Sequence, residues 1–212
     1  MLCSSAGAAR CSFCADRMIP TDLLVSAYAS GWFPMAVGDG SIRWFSPDPR
    51  GIIPLDGFHV SKRLARVIRR RVFDIQINRD FEAVIRGCAE APRDAEDPGT
   101  WIDQEIHDSY CALHRAGLAH SVEAWQEGRL AGGLYGVAIG GAFFGESMFH
   151  HVTDASKVAL AALVDRLRER GFTLLDTQWT TEHLEQFGAI EIPRRRYLAL
   201  LADALSRTAD FQ

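Results

Sequence analysis

The pattern of apolar residues predicts an α+β fold in which helices flank an antiparallel-rich mixed sheet, with a small N-terminal lobe. Three observations carry that expectation. Alternating apolar runs at 120–126, 130–139 and 142–149 are joined by Glu127-Gly128 and Gly140-Gly141, both tight-turn signals, and read as a meander. Helical spacing recurs on either side, at 60–71, 103–116, 153–170 and 194–205. An aromatic stretch between Trp32 and Arg50, punctuated by Pro34, Pro47 and Pro49, follows neither period.

A length of 212 residues suits one good-sized core plus a small lobe. The chain divides into a leader at 1–17 expected to be disordered, a small lobe at 18–53 and a main domain at 54–212. Met18 is an alternative initiator. Apolar residues make up 48% and charged residues 24%, an ordinary globular balance. No apolar run approaches the ~20 residues that a membrane-spanning helix needs. The N-terminus also lacks the charged-then-apolar order of a secretory signal, so a cytoplasmic location without a membrane partner is expected, and the chain is taken as a monomer. A net charge of −4 offers nucleic acid no bulk attraction; binding would need a local patch. Cys11-Ser12-Phe13-Cys14 has the spacing of half a zinc site or a redox pair. No second Cys-x-x-Cys follows, and the five cysteines read as reduced thiols.

Taken in order, Thr21-Asp22 opens a helix carrying Leu23, Leu24, Ala27 and Tyr28, and Gly31 ends it. The prolines bar a regular element from the aromatic stretch, leaving a hydrophobic mini-core or a binding surface. Val60–Arg71 is a helix with Val60, Leu64, Val67 and Ile68 on one face. Lys62, Arg63, Arg66, Arg69, Arg70 and Arg71 take the remainder without an acid, as a solvated face or a phosphate-binding one. Phe73–Ile77 alternates like a strand, Asp80 opens a helix through Cys88, and 89–100 is an acidic loop. Asp103–Ala116 is a helix closed by Gly117. After the meander, Thr153 or Asp154 caps a helix through Arg170 that Gly171 stops. Phe172–Thr177 is a buried strand, and helical pieces follow at Thr181–Phe187 and Arg194–Leu205. Meander, helix, strand, helix is the order of N-acetyltransferase-like (GNAT-like) acyltransferases, an architecture that does not fix the chemistry.

Trp44–Arg50 (WFSPDPR), Gly99–Ile102 (GTWI), His120–Trp125 (HSVEAW), Gly132–Val137 (GGLYGV), Phe144–Phe149 (FGESMF), Ala155–Lys157 (ASK), Leu175–Gln178 (LDTQ) and Gly188–Arg194 (GAIEIPR) are the segments that together resemble the leucyl/phenylalanyl-tRNA–protein transferase family, over roughly residues 21–205. The resemblance implies transfer of leucine, also phenylalanine or methionine, from aminoacyl-tRNA to a protein with N-terminal Arg or Lys. The product carries a destabilising N-terminal residue, an N-degron. No cofactor or metal is implied, because the ester is already activated. A CoA-dependent enzyme of this architecture would want a glycine-rich pyrophosphate loop, and His150–Lys157 contains no glycine.

The same resemblance assigns roles. Asp176 and Gln178 are the catalytic couple: two apart on a strand, they are expected on one face, with Asp176 orienting the Gln178 amide whose oxygen draws on the amine. Glu146 either contacts the acceptor's charged N-terminus or closes an internal ion pair, Lys157 being one partner. Leu134, Phe143, Phe149, Leu160 and Leu175 are candidates for the apolar aminoacyl pocket. Trp101 and Tyr110, joined by Tyr28, would stack the 3′-terminal adenosine. Lys62, Arg63, Arg66, Arg69 and Arg70 would hold tRNA phosphates. The family commonly has Phe-Pro-Trp where this chain has Phe33-Pro34-Met35; either Trp32 or Trp44 supplies the missing ring or the terminal adenosine is held more loosely.

Overall fold

Residues 18–91 and 100–212 are described by the computed structural model. The leader, Cys11-Cys14 and most of the acidic loop lie outside the described residues. The chain runs α1 (Thr21–Ala29), β1 (Phe33–Ala36), β2 (Ile42–Phe45), β3 (Arg50–Ile53), α2 (Lys62–Arg69), β4 (Asp74–Ile77), α3 (Phe81–Glu90) and α4 (Gln104–Arg115). It continues with β5 (Ala119–Gln126), β6 (Arg129–Ile139), β7 (Ala142–His150), α5 (Ala155–Glu169), β8 (Leu174–Gln178), α6 (Glu182–Glu185), β9 (Ile190–Ile192) and α7 (Arg194–Leu205).

The large sheet has the order β4-β5-β6-β7-β8-β3-β9. Its meander is the predicted one, because Glu127 and Gly128 both take the left-handed conformation that a two-residue hairpin loop requires. Only the β7–β8 pair is parallel; the connection between them is α5, long enough to cross over the sheet. Helix α5 packs on β5, β6 and β7 from one face, while α3, α4 and α7 cover the other. Each face buries its own apolar cluster: Leu163, Val164 and Leu167 belong to one, and Val84, Ile106 and Leu201 to the other. The fold is a mixed α+β one with a mostly antiparallel sheet between helices.

Several elements differ from expectation, each for a local reason. The aromatic stretch holds a two-stranded ribbon, β1–β2, that pairs Pro34 with Trp44. With no third strand on the ribbon among the described residues, the N–H that proline lacks is not missed. Residues 50–53, assigned above to the small lobe, form β3 between β8 and β9 in the large sheet. β9 was too short to register between Gly188 and Pro193. Helix α2 begins after Val60, since the Ser61 hydroxyl caps it by accepting from Leu64 N–H at 3.2 Å, and it ends before Arg71, which turns left-handed at φ +48°. At α5, Asp154 occupies the cap position with φ +71° but makes no capping bond; its carboxylate pairs with Arg63 at 3.0 Å instead.

Candidate active site

The parallel β7–β8 pairing holds from Ala142 opposite Leu174 to Phe144 opposite Asp176, and then the strands part. Two irregularities shape the gap. On β7, Gly145 opposes Gly136 while Ser147 opposes Tyr135, so Glu146 is the extra residue of a β-bulge and has no ladder partner. Gly136 permits this, since a Cβ there would collide with the Phe144 carbonyl oxygen. On β8, Gln178 adopts φ +59° and Trp179 N–H donates to the Thr177 carbonyl at 2.6 Å, closing a γ-turn. A left-handed non-glycine residue costs on the order of 1–3 kcal/mol and persists only where its surroundings enforce it. Gly51 on β3 lets the turn settle: a Cβ there would sit 2.5 Å from the Trp179 carbonyl carbon.

The gap holds two adjoining cavities. The inner, about 110 Å³, is walled by Leu134, Met148, Leu160, Leu163, Leu175 and Leu184. The outer, about 400 Å³, carries Phe33, Met35, Trp101, Trp179 and His183. Glu146 and Gln178 border both.

Glu146 sits at the centre of a polar network. Its Oε1 accepts from the Tyr28 hydroxyl at 2.8 Å and from Gln178 Nε2 at 3.1 Å, and its Oε2 accepts from the Tyr110 hydroxyl at 3.1 Å. The two phenols also touch each other. Burial, reinforced by the Glu146 charge, holds both phenols protonated well above their ordinary range. Burial likewise pushes the Glu146 carboxyl up to about 7, against the phenol hydrogen bonds that pull it down. Because Gln178 directs its amide nitrogen at Glu146, its oxygen is the end left for a ligand.

Asp176 lies behind this network. Arg50 Nε donates to Oδ1 at 2.9 Å and Nη2 to Oδ2 at 2.6 Å, a bidentate pair. The Tyr197 hydroxyl donates to Oδ2 at 2.7 Å, and Gln178 N–H donates to Oδ1 at 2.9 Å. Arg50 also donates to the Gly31 carbonyl at 2.9 Å and stacks on Tyr197, tying α1 to β8 and α7.

The sequence that builds this site has relatives. The family model for leucyl/phenylalanyl-tRNA protein transferase matches residues 52–202, and that for its N-terminal domain matches residues 17–48. A leucyl/phenylalanyl-tRNA–protein transferase of Rhodopseudomonas palustris (strain TIE-1) is 58% identical over 206 residues, spanning 96% of this chain and 90% of its own. One from Paramagnetospirillum magneticum is 56% identical over 197 residues, spanning 92% and 93%. The chain belongs to the leucyl/phenylalanyl-tRNA–protein transferase family. It is an aminoacyltransferase.

In this transferase, Leu134, Leu160 and Leu175 line the inner cavity. Phe143 and Phe149 do not. Phe143 faces the same side as Leu175 but lies deeper, stacked on Phe211 at 5.1 Å, and Phe149 points to the opposite cluster, against Gly87. Trp101 lines the outer cavity, whereas Tyr28 and Tyr110 are fully buried, offer no face for stacking, and serve Glu146 through their hydroxyls. Glu146 is bound by those phenols and Gln178, not by Lys157. Asp176 accepts from the Gln178 backbone N–H, and Gln178 turns its amide nitrogen to Glu146. Lys62, Arg66, Arg69 and Arg70 are exposed, and Arg63 is exposed in its pair with Asp154. Met35 itself lines the outer cavity, as does Trp179, while Trp32 and Trp44 do not. Sequence reasoning missed Arg50, although a carboxylate on a buried strand demands a cation and WFSPDPR supplies one. It also missed Tyr197, Met148, Leu163 and Leu184, which only the fold gathers here.

Proposed function

We propose that this transferase moves leucine, and also phenylalanine or methionine, from aminoacyl-tRNA to the N-terminal Arg or Lys of an acceptor protein. The observation that carries the reading is the meeting of an apolar cavity and an aromatic one at Glu146 and Gln178. The inner cavity suits an aliphatic or aromatic side chain, and among the described residues its walls include no Lys or Arg to neutralise an acidic one. The outer cavity suits the terminal adenosine, with the base against Trp101 and Trp179, contacts worth ~1–3 kcal/mol each. Trp179 is 41% exposed, so a base can reach its face. A mixed sheet whose parallel pair opens around an acyl site also fits the GNAT-like class.

The acceptor α-amine titrates near pH ~8 and must be neutral to attack. Its nitrogen bonds to the ester carbon, the bond from that carbon to the ribose oxygen breaks, and the proton lost by nitrogen ends on the ribose oxygen. The Gln178 oxygen accepts from the amine and holds its lone pair on line. Glutamine is too weak a base to take the proton. Glu146 is the group that can hold a proton in transit, because its carboxyl titrates near neutral pH in this setting. It also supplies the negative charge that an Arg- or Lys-ended terminus seeks. Asp176 acts from behind, by fixing the turn that presents Gln178. The exposed basic face of α2 holds tRNA phosphates without reading sequence. The product, a protein with a new leucine or phenylalanine at its N-terminus, is an N-degron.

The test is to incubate the purified protein with labelled Leu-, Phe-, Met-, Asp- and Arg-tRNA and an Arg-ended peptide. Label is expected on the peptide from the apolar donors alone. Transfer of aspartate or arginine, or of nothing, would overturn the reading.

A further inference from the structure

We propose that the Thr177 hydroxyl is the hydrogen-bond donor that meets the ester carbonyl oxygen as it becomes an oxyanion; this rests on the transfer reading above. With the side chain in the inner cavity and the adenosine in the outer, the ester between them crosses the boundary that the cavities share. The residues common to both walls are Glu146, Ser147, Met148, Thr177, Gln178 and Leu184. Attack by the amine sends the carbonyl π pair onto oxygen, and the developing charge needs a donor nearby.

The polar groups already assigned have the wrong sign or are engaged. Glu146 and the Gln178 oxygen are acceptors, and the Gln178 amide nitrogen is directed at Glu146. The Arg50 guanidinium is held behind the site by Asp176 and the Gly31 carbonyl. Ser147 Oγ, unlike Thr177 Oγ1, is not a buried atom without a partner, so water can satisfy it. Thr177 differs: its Oγ1 is buried and has no hydrogen-bond partner among the described residues. Such an atom costs on the order of 1–3 kcal/mol and asks for an explanation. The residue lies between Leu175, which lines the inner cavity, and the strained Gln178. Its carbonyl closes the γ-turn, so its backbone is fixed, while one χ1 step exchanges its methyl and hydroxyl. The hydroxyl donates to the oxyanion without giving up its proton. On collapse the electron pair returns to the carbonyl, and the ribose oxygen leaves with the proton that nitrogen lost.

The experiment compares wild type, T177V and T177S in single-turnover transfer from Leu-tRNA to an Arg-ended peptide, with Leu-tRNA affinity and thermal midpoint measured on each. Valine keeps the shape and removes the donor. T177V is expected to slow transfer on the order of 10²-fold with unchanged Leu-tRNA affinity and a thermal midpoint no lower than wild type, and T177S to restore most of the rate. Transfer by T177V within about threefold of wild type would overturn the proposal, as would a T177S as slow as T177V. A T177V chain less stable than wild type would make the hydroxyl structural and would equally overturn it. Wild-type protein that transfers no leucine would remove the reading of the site, and the proposal with it.

Discussion

Arg50 and Asp176 form a bidentate ion pair with almost no contact with solvent: the two side chains are 1% and 0% exposed, and Nη2 lies 2.6 Å from Oδ2. Tyr197 and the Gln178 N–H complete the carboxylate's hydrogen bonds, and the Gly31 carbonyl takes a further guanidinium donor. The pair therefore joins the small lobe to the strand that ends in Gln178. Removing one partner strands the other charge in the interior, a loss on the order of 3–5 kcal/mol. Arg50→Ala and Asp176→Ala are each expected to lower unfolding free energy by about that much, measured by urea denaturation. Replacing both at once by apolar residues should recover part of the loss. Single variants within about 1 kcal/mol of wild type would mean that water reaches the pair.

Gly51 carries a second, separable expectation. Gly51→Ala puts a methyl against the Trp179 backbone and must displace the turn that holds Gln178. A displacement near 1 Å can cost on the order of 10²-fold in rate. Transfer should fall well beyond what the loss of stability explains, with tRNA affinity nearly intact. A variant with wild-type kcat would show that the turn's position is not critical.

The meander, α5 and α7 were legible because their patterning is local: alternation, turn dipeptides and helical spacing each need only a few neighbouring residues. β3 and β9 were not, since strands of four and three residues take their identity from pairing with segments over a hundred residues apart and with each other. The site divides the same way. Leu134, Leu160 and Leu175 could be named from composition and resemblance, and they line the cavity. Tyr28 and Tyr110 were named with the wrong end in view: a tyrosine can offer a ring face or a hydroxyl, and burial, which decides between them, is a tertiary property. The turn at Gln178 was not legible either. Strand alternation is a sound default, and nothing local in Asp-Thr-Gln announces a positive φ.

Glu146 gives the site a pH signature. Its carboxyl is harder to ionise in the fold, near 7 against an ordinary 4.5, so the folded chain holds that proton more tightly than the unfolded chain. Its contribution to stability is therefore present below about 4.5 and is lost as pH rises through about 7, after which it is flat. Glu146→Gln removes this slope. The variant should gain stability relative to wild type between pH 5 and pH 8, while its pH–rate profile loses the limb near 7. Parallel stability curves for the two proteins would place the Glu146 titration elsewhere.

The inner cavity should govern the choice of donor. Leu163 on α5 forms part of its wall, and Leu163→Ala enlarges it. Apolar pockets discriminate by only ~1–3 kcal/mol per methylene, so the gain for phenylalanine over leucine should be modest, roughly tenfold. Competition between Leu-tRNA and Phe-tRNA for one labelled peptide reads this ratio directly. The protein will also be less stable by about 2–5 kcal/mol, so the assay belongs well below its melting temperature. An unchanged ratio would mean that the side chain is held elsewhere.

Helix α2 presents Lys62, Arg66, Arg69 and Arg70 to solvent, with no acid within the helix. Its first turn is anchored near the start of α5 by the Arg63–Asp154 pair at 3.0 Å, and α5 in turn supplies Leu160 and Leu163 to the cavity. In the function proposed above, this face takes the phosphates of the tRNA. Phosphate contacts release counterions, so affinity should fall steeply with salt, and each contact removed should reduce the log–log slope by about one. Arg66→Glu with Arg69→Glu is expected to weaken Leu-tRNA binding and to flatten its salt dependence by roughly two, with equal effect on Leu-, Phe- and Met-tRNA because these contacts read no bases. Single-turnover transfer at saturating tRNA should stay near wild type, since neither residue reaches the cavities. Wild-type affinity and slope in the double variant would reduce this face to solvated surface and move the acceptor stem elsewhere on the protein.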